Sequence, residues 1–353
     1  RGYVDPLTGQ FGAAKAGDIA STAWWVDYSN FFEGVGALGG GNVTMNAGRD
    51  IANVDAVIPT NARMSKGTPN AANLVELGGG DLRVTTGRNL DAGIYYVERG
   101  VGNLNVAGSI ITNSTRSPSL TIITNSAALA PETWLPTTLF VGRSQFDVNA
   151  RGSVLMGPTA NVFLLPQGFN NTFWYKTYFN TYSASSGVSI KSLSGDVTLR
   201  NAVTMPVTGN GAATPMLQAW TQNVQLFNAN TPTASFYHPW LRLAESRVDP
   251  FATTTSLQPG SLQVTAFGGN VNVVGSLTLA PSPTGTLDLL ARGAVNGLQI
   301  HGSTNINSVS TKAWGASRIN LSDANPAALP GVTSPFAYQT IAGLTQSLAN
   351  STG

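Results

Sequence analysis

The side chains able to do acid–base, metal or nucleophilic chemistry are few. The chain has 17 Asp and Glu, two His and no Cys. Without Cys there is no disulfide, thiol catalysis or Cys-ligated zinc or iron–sulfur site. His301 precedes Gly302 with no identifiable catalytic partner, and His238 sits among Phe236, Tyr237, Pro239 and Trp240 as a loop residue. Neither offers the paired geometry that proton transfer needs. No two carboxylates are adjacent, and Asp50, Asp81, Asp196 and Asp288 fall at or beside predicted turns. A turn Asp is expected to bond its own backbone. Catalytic centres and metal sites are not expected, and no cofactor is implied.

Arg49, Arg88, Arg151 and Arg292 recur beside turn glycines. A ladder of such arginines would suit an anionic glycan. Corner arginines bonding neighbouring carbonyls or carboxylates is the preferred reading, because five donors per guanidinium are readily used locally. The triplets Gly39-Gly40-Gly41 and Gly78-Gly79-Gly80 are followed by alternating residues and by no Lys-Ser/Thr, so they read as corners and not as phosphate loops.

Aromatic clusters are the best binding candidates. Residues 21–36, 169–182 and 211–258 concentrate Trp, Tyr and Phe and fit no repeat. They read as insertions or loops outside the main architecture. The first choice for a ligand site is Phe173, Trp174, Tyr175, Tyr178 and Tyr182, with Asn170, Asn171, Lys176 and Asn180 beside them. Flat amphipathic rings suit sugars and protein hot spots. Packing against the main body is the competing role for them.

These groups must be carried by short strands. The stretch from Gly41 to Ile51 (GNVTMNAGRDI) and that from Gly80 to Leu90 (GDLRVTTGRNL) match in their glycines, in the apolar–polar–apolar triplet and in the close. Gly102 to Ile110 is a shorter copy. Ala150-Arg151-Gly152-Ser153-Val154 and Ala291-Arg292-Gly293-Ala294-Val295 are close copies of each other. Further on, Leu262/Val264, Val271/Val273, Leu277/Leu279 and Leu287/Leu289 are apolar pairs two apart. Alternation places every second side chain inward. One such strand cannot bury its apolar residues alone, whereas stacked copies build a continuous core. The expected fold is all-β, a right-handed parallel β-helix with aromatic-rich insertions, with residues 1–353 forming one β-solenoid segment of a longer chain. An ordinary β-sandwich is the alternative. Short helices are expected at 240–248 and 338–348.

Composition narrows the function. Charged residues are 10% of the 353, against about 25% in an average soluble domain, and the formal net charge is +2. Clustered cations for nucleic acid are absent. No apolar run approaches the roughly 18 residues of a transmembrane helix.

At 39–58, 78–95 and 102–111 the sequence resembles the filamentous-haemagglutinin family of two-partner-secretion exoproteins. The residues that carry this are Gly41-Asn42-Val43-Thr44-Met45-Asn46-Ala47-Gly48-Arg49-Asp50-Ile51 and the units around Leu82 and Leu104. The resemblance implies a secreted, extracellular or outer-surface location. It also implies export through an outer-membrane partner, and attachment to a glycan or protein on another cell. Low charge and absent Cys suit export of an unfolded chain. The family's secretion domain is not recognisable here. The expected function is therefore structural and adhesive, not enzymatic. The alternative is a carbohydrate-active β-helix enzyme, a lyase or hydrolase; a third reading is a receptor-engaging segment of a toxin-delivery exoprotein.

Overall fold

The computed structural model describes residues 23–24, 34–64, 74–112, 135–162, 182–202, 216–217, 257–300, 309–312 and 317–322. The chain is all-β: apart from a helical fragment at Met216 and Leu217, the elements among these are strands. Seventeen strands join one long sheet. Its pairings are parallel except where Val295–Ile300 meets Val309–Lys312. The helices expected at 240–248 and 338–348 lie outside the described residues, as do His238 and His301.

The pairing forms three ladders. The first takes Val43–Ala47, Leu82–Thr86, residues 102–106, residues 145–150, Gly187–Ser192, Ser261–Ala266 and Thr286–Ala291, in register. The second starts at Ile51 and continues through Leu90, Ile110, Val154, Val197, Val271 and Val295. The third holds Gly34–Gly36, Asp55–Ile58, residues 94–97 and residues 138–141. Leu257–Gln258, Ser276–Leu279 and Arg318–Leu321 pair separately. Successive passes of the chain visit the first and second ladders in the same order.

Period-two patterning explains the core. Along the first ladder, three inward rows run through the rungs. One is Met45, Val84, Leu104, Val148, Ile190, Val264 and Leu289. Its five middle members are buried, and each fully buried aliphatic side chain contributes roughly 1.5–3 kcal/mol. Val43, Met45 and Ala47 at one end, and Leu287, Leu289 and Ala291 at the other, are only partly covered. The two end strands each have one neighbour in this ladder among the described residues.

The corners are made by the residues the repeats suggested. Gly78, Gly79 and Gly80 all take φ values from +83° to +152°, and a Cβ on Gly80 would collide with the Gly41 carbonyl. Only glycine fits there without strain.

The turn carboxylates behave differently from expectation. Asp50 accepts from the Asn89 backbone N–H at 3.0 Å, and the Asn89 side-chain oxygen accepts from Ser109 at 3.0 Å. Asp196 accepts from Asn270 at 2.7 Å, and Asn270 from Ala294 at 2.8 Å. Asn42 and Asp81 repeat the device at another corner, accepting from Asp81 and Val101. Each side chain thus bonds the next rung and not its own backbone. Parallel stacking leaves a corner N–H beyond reach of the neighbouring carbonyls, and a short Asx side chain bridges the gap. Asp288 is not a turn residue at all: it is exposed in mid-strand, opposite Gln263.

Two of the segments read as insertions, 21–36 and 211–258, close inside the sheets. Gly34–Gly36, at the close of 21–36, pairs with Asp55, Ala56 and Val57. Leu257 and Gln258, at the close of 211–258, pair with Thr278 and Leu279. A small antiparallel sheet of Ala23–Trp24, Thr60–Met64 and Leu74–Gly78 was not anticipated.

Candidate functional site

Of the aromatic residues singled out, Phe173, Trp174, Tyr175 and Tyr178 lie outside the described residues. Tyr182 is described. It packs against the core, and its hydroxyl donates to the Leu257 carbonyl at 2.8 Å. Burial raises that hydroxyl's pKa well above the usual tyrosine value, with the Glu98 charge adding to the effect. This environment anchors the chain entering Gly187–Ser192.

The arginines divide. Arg88 pairs with Asp50 one rung earlier, its Nε donating to Oδ1 at 2.8 Å and its Nη2 to Oδ2. Those bonds, with the one from Asn89, hold the Asp50 carboxyl at about 2. Arg49 and Arg88 share a corner position, since the Arg88 N–H donates to the Arg49 carbonyl. Arg151 and Arg292 occupy a different position, donating from N–H to Val106 and Ala266. The four arginines therefore form no single ladder.

Among the described residues, Glu98 is the carboxyl pushed furthest up. It sits at the bend of Ile94–Val106, fully buried, and accepts from the Tyr96 hydroxyl at 3.0 Å. Burial pushes its pKa well above the ordinary value, against the opposing effects of Tyr96 and Arg99. Perturbed groups often mark active sites. Here Gly142 of the next rung lies against the carboxyl so closely that a Cβ on it would clash. That leaves no room for a substrate on this side.

The accessible features lie on the outer side of the first ladder. Outward residues alternate with the core rows: Asn103, Asp147, Ser189 and Gln263 form one row, and Asn105, Asn149, Lys191 and Thr265 the next. Asn149 Nδ2 approaches Asn105 Oδ1 at 3.4 Å, continuing the row across rungs. Two depressions flank these rows. One, of about 300 Å³, is lined by hydroxyl, amide and carboxylate groups including Gln145, Asp147, Ser189, Gln263 and Thr284. The other, of about 500 Å³, lies over Asn105, Asn149 and Lys191 and is walled by Arg151, Leu193 and Phe267. Leu193 and Phe267 are 61% and 53% exposed.

That wall is a corner column. The backbone N–H groups of Arg151, Leu193 and Phe267 donate to Val106, Ala150 and Ser192, so the three occupy the same position in successive rungs. Sequence reading singled out Arg151 but missed Leu193 and Phe267. Two large apolar residues beside turn glycines were the available signal.

Among the described residues, no group of three His, Cys, Asp or Glu could hold a metal ion. No helix among them is long and apolar enough to cross a membrane. The chain matches no protein-family model, curated protein or solved structure.

Proposed function

We propose that this chain is a right-handed parallel β-helical segment with a structural and adhesive role, belonging to a secreted bacterial surface exoprotein. The observation that carries the reading is the first ladder, which runs in register through its strands with an aliphatic inner side and an amide- and hydroxyl-rich outer side. Stacked rungs make a stiff rod, and a rod presents its outer rows repeatedly to a neighbouring surface. The resemblance of Gly41–Ile51 and Gly80–Leu90 to filamentous-haemagglutinin repeats supplies the surface location and the outer-membrane export partner. The partner on the other cell is a glycan or a protein.

The enzyme reading, if it is a hydrolase, needs two carboxylates flanking a glycosidic bond. The two depressions together hold one, Asp147, which favours binding over hydrolysis. The test is to incubate the purified chain with cells and with a panel of polysaccharides. Adhesion to cells with unchanged polysaccharide chain length is expected. Depolymerisation that disappears in Asp147→Asn would overturn the adhesive reading in favour of an enzyme.

A further inference from the structure

The depression over Asn105, Asn149 and Lys191 has a composition that selects its occupant. We propose that it binds a saccharide chain carrying an isolated carboxylate, such as a uronic acid flanked by neutral sugars. This rests on the adhesive reading and names the ligand class of its outer face.

Three observations lead there. First, Arg151 and Lys191 line the depression with no carboxylate beside them. Both are exposed, and neither makes a side-chain ion pair or hydrogen bond to a described residue. Two cations match one acid group. A densely sulfated polyanion calls for clustered cations, and only 10% of this chain is charged. Second, Phe267 and Leu193 stand exposed in the same wall, one rung apart. An exposed ring beside a row of amides offers the C–H face of a sugar an apolar contact that water does not compensate. Third, a row of amides and hydroxyls from Thr85, Asn105 and Asn149 runs through a lining whose accessible surface is mainly apolar. It passes along the same strands into the second depression, where Gln145, Asp147, Ser189 and Gln263 continue it. A linear chain of hydroxyl-bearing units meets polar partners along this whole strip. A protein partner would call for an apolar, fully desolvated centre, whereas the apolar lining here is confined to this one depression and the neighbouring one along the strip is mainly polar.

The carboxylate is placed between Arg151 and Lys191, where the guanidinium provides a planar pair of donors and the ammonium a compact charge. Neutral sugars on either side then lie over Phe267 and over the Asn105–Asn149 row.

The test uses the whole chain and three oligosaccharides of equal length. One contains a single uronate, the second is its carboxyl-reduced counterpart, and the third is densely sulfated. Affinities are read by calorimetry and by ligand-detected NMR. The uronate compound is expected to bind at least tenfold tighter than the other two. Lys191→Gln, Arg151→Gln and Phe267→Ala are each expected to weaken it by about tenfold, with circular dichroism unchanged. Equal binding of the reduced compound would overturn the proposal, as would tighter binding of the sulfated one. So would a chain that adheres to cells but ignores all three, which would point to a protein partner and leave the adhesive reading standing. Binding of the uronate compound without adhesion to any cell would instead count against the adhesive reading alone.

Discussion

The Phe146 ring fills the space that a side chain at Gly102 would need in the adjacent rung. The two residues face each other in the row Val43, Leu82, Gly102, Phe146, Val188, Leu262 and Leu287. The ring leans into the volume left open by Gly102, so the two positions share one site in the row.

This pairing predicts strong coupling. Gly102→Val overpacks the row, at a cost of about 1–3 kcal/mol, and Phe146→Ala empties it, at a cost of about 3–5 kcal/mol. The double variant Gly102→Val/Phe146→Ala is expected to recover part of the loss. Denaturant unfolding of the four proteins measures it. Additive losses would mean that the two residues do not share a site.

Glu98 predicts an unusual pH dependence. Its folded-state pKa is raised by burial, so the folded protein holds a proton that the unfolded chain releases above about pH 4.3. The stability linked to Glu98 is therefore complete at acid pH. It is lost by about 1.4 kcal/mol per pH unit as pH rises from there towards the folded-state value. Glu98→Gln keeps an acceptor for the Tyr96 hydroxyl and has no proton to lose. Thermal melts from pH 4 to 8 are expected to show the variant gaining stability over the parent as pH rises. A constant difference across that range would mean that Glu98 is not buried.

Asp50 has the opposite sign. Its carboxyl is held at about 2 by Arg88 and by the Asn89 N–H, below the ordinary value near 4. Its contribution is present above about pH 4 and is lost as pH falls towards 2. Asp50→Asn retains an acceptor for Asn89 and removes the charge. It is expected to lose less stability than Asp50→Ala, and its residual difference from the parent is expected to shrink in high salt. Equal losses in the two variants would assign no role to the rung-bridging hydrogen bond.

Asn270 tests the corner device itself. Its backbone N–H and Nδ2 both reach Asp196 Oδ1, and its own oxygen accepts from Ala294. Asn270→Ala leaves the Ala294 N–H without that acceptor and is expected to destabilise by about 1 kcal/mol or more. Amide hydrogen exchange at Ala294 should accelerate in the variant. Unchanged exchange would show that the corner is held by other bonds.

Much of the architecture was legible where strands alternate. The units at 41–51 and 80–90 show a period of two plus glycine corners, and they pair in register with each other. Residues 94–97 and 137–141 were harder to read, because Tyr96 and Phe140 are buried along with their neighbours. A strand covered on both faces loses its alternation. The Asx bridges join residues 20 to 74 positions apart, a relation that no local pattern carries. The depression was illegible for the same reason. Thr85, Asn105, Asn149, Lys191 and Phe267 come from five separate rungs, and only the register brings them together.

The central claim is that the strands stack one rung at a time, and spin-label distances test it directly. The chain has no native Cys, so pairs can be introduced in one outward row. Thr44, Arg83, Asn103, Asp147, Ser189, Gln263 and Asp288 form that row in order. Labels at Thr44→Cys with Ser189→Cys, Gln263→Cys and Asp288→Cys in turn are predicted to lie about 19, 24 and 29 Å apart, one spacing of about 4.8 Å per rung. Distances that fail to grow in that order by about one spacing each would contradict the stack, and with it the adhesive rod.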